Sequence, residues 1–280
     1  MLYIPHICFI MSLASCWFSK KIALIFYVGA IAAGLFVGAL QPLALLTIPV
    51  LFGSLYVIQG RYNKALTALA HIAFTTLSFF LFFHFVPGIS NFKIFDAVFV
   101  SERCAPFTMY LNMENEIIAF LLMYMIVPTS CARTEWKQVF VSAGIYGSIC
   151  IVSLMAAALA TGFVKFNPKF PPQTFWFLVN NLMLVCIVQE AFFRGYIQKH
   201  LTAWCEAHQI SEMFALVAAS IIFGLCHYQS GVVMVILSTI AGLFYGAAYM
   251  RNNRIEAAIL VHFALNAAHF FFFSYPSFAR

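Results

Sequence analysis

Long apolar runs separated by short polar turns make up most of this chain. They fall near residues 22–40, 43–59, 65–86, 108–127, 138–162, 175–198, 213–228, 231–250 and 256–275. A helix rising 1.5 Å per residue needs about 20 apolar residues to cross a hydrocarbon core about 30 Å thick. Several runs are short or closely joined, so the pattern predicts an all-α, polytopic transmembrane helix bundle of eight or nine spans. Residues 1–21 form an apolar lead-in that lacks a positively charged start and is interrupted by Pro5 and His6. A cleaved signal peptide is therefore not expected. The lead-in reads either as an interfacial segment or as an extension upstream of a start at Met11. The N-terminal transmembrane helices occupy residues 22–174, and a C-terminal set occupies 175–275.

One connection breaks the pattern. Residues 87–107 carry Pro87, Gly88, Asn91, Asp96, Glu102, Arg103 and Pro106, too many for a tight turn. A loop of this length reads as an extracytoplasmic connector or as a cover over the helices. Two G-x-x-x-G spacings, Gly34 with Gly38 and Gly242 with Gly246, mark places where helices pack closely in lipid.

Composition agrees with membrane embedding. The chain is 64% hydrophobic, 18% aromatic and 9% charged, with a mean hydropathy of +0.94. Soluble domains carry about 25% charged residues. The formal charge of +6 does not form a nucleic-acid patch. Basic residues cluster between apolar runs, as Lys20-Lys21, Arg61 with Lys64, Arg133 with Lys137, and Arg251 with Arg254. Strict alternation puts these with Lys199 on the cytoplasmic side, and Lys93, Arg103, Lys165, Lys169 and Arg280 on the other, about nine against five. The eight cysteines, Cys8, Cys16, Cys104, Cys131, Cys150, Cys186, Cys205 and Cys226, form no C-x-x-C pair. They read as small hydrophobes within helices.

The informative residues are polar ones inside apolar runs. A charged side chain at mid-bilayer costs about 2.5–3.5 kcal/mol on insertion scales, so those present tend to face a cavity and to act there. Three helices carry them. Gln189-Glu190-Ala-Phe-Phe-Arg194-Gly195 ends the run 175–198, with Glu190 and Arg194 four apart on one face. Phe223-Gly-Leu-Cys-His227 ends the run 213–228. His262-Phe-Ala-Leu-Asn266 lies inside the last run, again on one face, with His269 a turn further on. His71 and His84 read as packing histidines. An acid, two imidazoles and a carboxamide suit the hydrolysis of a peptide bond, which needs a base for water and donors for the oxyanion.

The order and spacing of these segments resemble the CPBP family of intramembrane peptidases, which includes the type II CAAX prenyl endopeptidases and relatives linked to bacteriocin processing. The family's motifs are E-E-x-x-x-R, F-x-x-x-H and H-x-x-x-N, met here at Gln189–Arg194, Phe223–His227 and His262–Asn266. The resemblance covers about residues 175–270. It implies a glutamic-type endopeptidase needing no metal. His227 would assist the base, His262 and Asn266 would bind the oxyanion, and Glu190 with Arg194 would support the site. The first motif glutamate is replaced by Gln189, and a carboxamide orients water but takes no proton. The base then falls to Glu190 or His227. The other reading is a catalytically impaired member that binds peptides or partner proteins as an immunity or regulatory factor. Zinc is an alternative, because two histidines and a glutamate can ligate it. The expected partners are the bilayer and a peptide or membrane-protein substrate, and the expected location is a bacterial inner membrane.

Overall fold

The computed structural model describes residues 2–129 and 133–279. Cys131, Arg280 and the side chain of Arg133 lie outside the described residues. The chain is nearly all-α and divides into two compact units, Met1–Ile94 with Tyr110–Ser130, and Phe95–Met109 with Cys131–Arg280.

In the first unit, α1 (Ile4–Ser15) and α2 (Lys20–Phe36) pack together, as do α3 (Thr47–Gln59) and α4 (Lys64–Phe82). The side chain of Ser19 caps α2 by accepting from the Ile22 amide, and that of Asn63 caps α4 through the Leu66 amide. The lead-in is therefore a helix, which buries His6, Phe9, Ser12 and Leu13.

The run expected as a span at 108–127 is divided. Residues 92–98 and 107–111 form a two-stranded sheet, β1 (Phe92–Val98) with β2 (Phe107–Leu111), and helix α5 begins only at Met113 and ends at Met125. The reason is local. Phe107-Thr-Met-Tyr-Leu111 alternates buried and exposed positions, a period of two that suits a strand, and Asn112 is extended. At 13 residues, α5 is about 20 Å long and too short to cross a bilayer alone.

Almost every side chain of α5 is buried, including Glu114 and Glu116. Each carboxylate meets a histidine of the same unit, His6 at 2.8 Å from Glu116 and His84 at 3.2 Å from Glu114. His84 is thus an ion-pairing residue as well as a packing one. At the other end of α5, Lys20 donates to the carbonyls of Met123 and Tyr124 at 2.6 and 2.8 Å, where the helix dipole is negative.

The second unit contains α6 (Arg133–Ala160), a continuous helix α7 (Thr174–Ala207), α8 (Glu212–Leu225), α9 (Val232–Met250) and α10 (Ile255–Phe272). The run expected to end at 198 continues to Ala207, and two segments of α7, Asn181–Cys186 and Phe193–Gln198, are wound as π-helix. Six helices among the described residues are long and apolar enough to cross a membrane: Pro42–Gln59, Lys64–Phe82, Glu135–Ala160, Thr174–Ala207, Val232–Met250 and Ile255–Phe272. The protein is a multi-pass membrane protein. At 14 residues, α8 falls short of a full crossing.

Packing of α8 on α9 depends on Gly224. A Cβ there would overlap the Thr239 hydroxyl and come within 2.8 Å of the Val235 carbonyl oxygen. Backbone cannot yield as a side-chain tip can. Gly224→Ala is expected to destabilise by about 1–3 kcal/mol, the usual range for overpacking. A lowered thermal-unfolding midpoint in detergent would register this, with Gly144→Ala, which meets open space, as the control.

Candidate active site

The three polar segments converge in the second unit. Glu190, in the α-helical turn of α7 between its two π segments, is wholly buried. Its Oε1 lies 2.7 Å from His262 Nδ1 on α10. Arg194, one turn on and equally buried, places Nη1 3.3 Å from Oε1 and 3.1 Å from Oε2. Only the contact to Oε1 is aligned as a hydrogen bond, so the approach to Oε2 is coulombic. Its Nη2 donates to the Gly242 carbonyl of α9 at 2.9 Å. The guanidinium also sits over the rings of Phe223 and Tyr245, 4.8 and 5.3 Å from their centroids. A buried cation needs such company, because desolvation otherwise costs several kcal/mol.

The G-x-x-x-G spacing in α9 therefore serves the site as well as the packing. A Cβ on Gly242 would lie 3.1 Å from Ser220 Cα and 3.3 Å from Arg194 Nη2. One turn on, the Gly246 carbonyl accepts from Gln198 Nε2 at 3.2 Å. Two carbonyls already inside a helix thus receive second donors from α7.

His262 is held on two sides. Its ring stacks on Tyr245, with centroids 4.5 Å apart and planes 16° from parallel, and Glu190 fixes Nδ1. With a carboxylate at Nδ1, the proton resides there and Nε2 is presented elsewhere. His227 lies just past the end of α8, half-buried, with Nδ1 2.9 Å from the Phe223 carbonyl. A carbonyl only accepts, so Nδ1 carries the hydrogen and the neutral ring keeps its lone pair on Nε2.

His227, His262, Asn266, His269 and Tyr245 line one cavity of about 80 Å³, whose other walls are apolar except for Ser238 and come from α6, the loop that follows it, α8, α9 and α10. That volume holds several waters. Asn266 Nδ2 donates to Asn181 Oδ1 at 3.3 Å and, at 3.9 Å, to Cys186 Sγ, a weak acceptor. His269 Nε2 donates to the Ser274 carbonyl at 3.2 Å. Beyond α10 the extended tail is tied to the loop after α6, through Ser274 N on the Lys165 carbonyl, Phe278 N on the Phe163 carbonyl, and Lys169 Nζ on the Phe273 carbonyl.

Of the six anticipated residues, Glu190, Arg194 and His262 form one bonded group and Asn266 belongs to a second with Asn181 and Cys186, while His262, Asn266 and His227 line the same cavity. Glu190 does not line that cavity, and its carboxylate is engaged by His262 and Arg194. Gln189 does not line it either, and its Oε1 is buried without a hydrogen-bond partner. The sequence reading missed Asn181, Tyr245 and Gln198. Asn180-Asn181 inside an apolar run was a usable signal. Tyr245 gave none, since an aromatic in a membrane helix is unremarked.

Among the described residues, no group of three His, Cys, Asp or Glu side chains is arranged to hold a metal. No curated protein and no solved structure matches the chain significantly. One family model does match, and the stretch it covers contains all three polar segments. Residues 171–268 match the model of a family described as type II CAAX prenyl endopeptidase Rce1-like, a similarity consistent with the CPBP family.

Proposed function

We propose that this protein is an intramembrane endopeptidase that cleaves peptide or membrane-protein substrates with His227 as the base. The observation that supports this reading is the meeting of His227, His262 and Asn266 at one cavity among apolar helices. Neutral His227 takes a proton from water at Nε2 as the water oxygen adds to the scissile carbonyl. The oxyanion accepts from Asn266 Nδ2, which gives up its long contact with Cys186 Sγ, and from His262 Nε2 after that nitrogen takes a proton from solvent. Collapse of the tetrahedral adduct breaks the C–N bond, and the proton on His227 passes to the leaving amine. Glu190 acts behind His262 as its orienting carboxylate, with Arg194 beneath. The reaction so drawn uses no metal, and the expected location is a bacterial inner membrane.

Gln189 supports a second reading, a member that binds such segments without cutting them. Cleavage of a membrane-embedded reporter separates the two. Wild type is expected to cleave, unaffected by chelation, and Asn266→Ala to lower kcat by about 10²–10³, the range for loss of one oxyanion donor. Wild type that fails to cleave, with activity appearing only in Gln189→Glu, would establish the binding reading instead.

A further inference from the structure

At the opposite end of α9 from His227, an open recess of about 580 Å³ lies between α6 and the turn joining α9 to α10. Its lining is Lys137, Gln138, Val141, Arg251 and Asn252. No carboxylate lines it. The nearby Glu135 is paired with Arg254 at 3.0 Å, which ties the first turn of α6 to the α9–α10 turn. Lys137 and Arg251 are exposed and form no ion pair among the described residues.

From this recess an apolar stripe runs down the outer face of α6. Val141, Ile145, Ile149 and Val152 are 44–71% exposed and follow Lys137 at helical spacing. From Val141 to Val152 the stripe extends about 16 Å, roughly half the thickness of a hydrocarbon core. The opposite face of α6, with Val139, Ser142, Cys150 and Leu154, is buried. Two cations and two carboxamides at a membrane boundary, continuous with an exposed apolar stripe about one leaflet deep, match a single kind of molecule.

We propose that this recess binds the phosphate headgroup of an anionic phospholipid, with Lys137 and Arg251 on the phosphate and one acyl chain along Val141 to Val152. The charges attract the anion, and the stripe selects a lipid over a free phosphate. Lys137, Arg251 and Arg254 all lie at this end of the helices, and such basic clusters mark the cytoplasmic side, where leaflets are anionic. The inference stands apart from the proposed peptidase activity, since none of these residues touches the cavity.

Native mass spectrometry of the full chain in detergent tests it, with dioleoyl phosphatidylglycerol, dioleoyl phosphatidylcholine and inorganic phosphate as probes. Phosphatidylglycerol is expected to bind at least about tenfold more tightly than phosphatidylcholine, with excess phosphate failing to displace it. Lys137→Gln combined with Arg251→Gln should bring its affinity down to that of phosphatidylcholine, whereas Lys137→Arg with Arg251→Lys should preserve the preference. Equal affinity for the two lipids, an unaltered preference in the glutamine pair, or displacement by phosphate alone would each overturn the proposal.

Discussion

Glu190→Ala is expected to cost about 3–5 kcal/mol of stability, the range for breaking a buried ion pair by removing one partner. The change strands Arg194, which is wholly enclosed and has no other carboxylate among its recorded contacts. It also frees Nδ1 of His262, so cleavage should vanish with the fold. Thermal unfolding in detergent, followed by tryptophan fluorescence, reads the first effect. Glu190→Met combined with Arg194→Met separates it from the second. Replacing a buried pair by apolar residues of similar volume is often neutral or stabilising, so this variant should regain most of the midpoint yet remain inactive. A single Glu190→Ala variant as stable as wild type would show that neither the pair with Arg194 nor the bond to His262 on α10 holds α7 in place.

His227→Gln should do the reverse. Loss of a general base lowers turnover by about 10²–10⁴, while stability should change little. His227 is half-buried, and its recorded hydrogen bond is to the Phe223 carbonyl of the turn before it. The measurement is kcat on the membrane reporter beside the unfolding midpoint of the same preparation. Unchanged kcat would remove His227 from the chemistry and pass the base to Nε2 of His262, whose Nδ1 faces Glu190.

The membrane helices and the pairing of polar residues within each segment were legible from sequence because each rests on short-range spacing, whereas the meeting of the three segments was expected from the family resemblance. Glu190 with Arg194, and His262 with Asn266, are each four apart, so one helix geometry puts each pair on one face. What the spacing did not reveal is that Glu190 stands behind His262 and outside the cavity lining, because that depends on how α7 is wound. Nor did hydropathy reveal the division at Asn112. A window of about 20 residues averages the strand Phe107–Leu111 with the helix that follows, and both are apolar. Glu114 and Glu116 carried the same signal as Glu190, charge within an apolar run, and went unread because no second polar segment stood at a recognisable distance. Their partners, His6 and His84, lie 110 and 30 residues away.

The π segments of α7 have a consequence for how this domain tolerates changes in length. Bonding from i to i+5 stacks residues five apart, and Cys186 Sγ donates to Asn181 Oδ1 at 3.3 Å, which lets Asn181 reach Asn266 while Glu190 reaches His262. A one-codon deletion within 182–185 could be absorbed by tightening that turn to ordinary α winding. The crossing would survive, but Asn181 would swing by about 100° and part from Asn266. Shortening by one residue there would disable the proposed site while sparing the span, so among chains that differ in length at this turn, topology is no guide to activity.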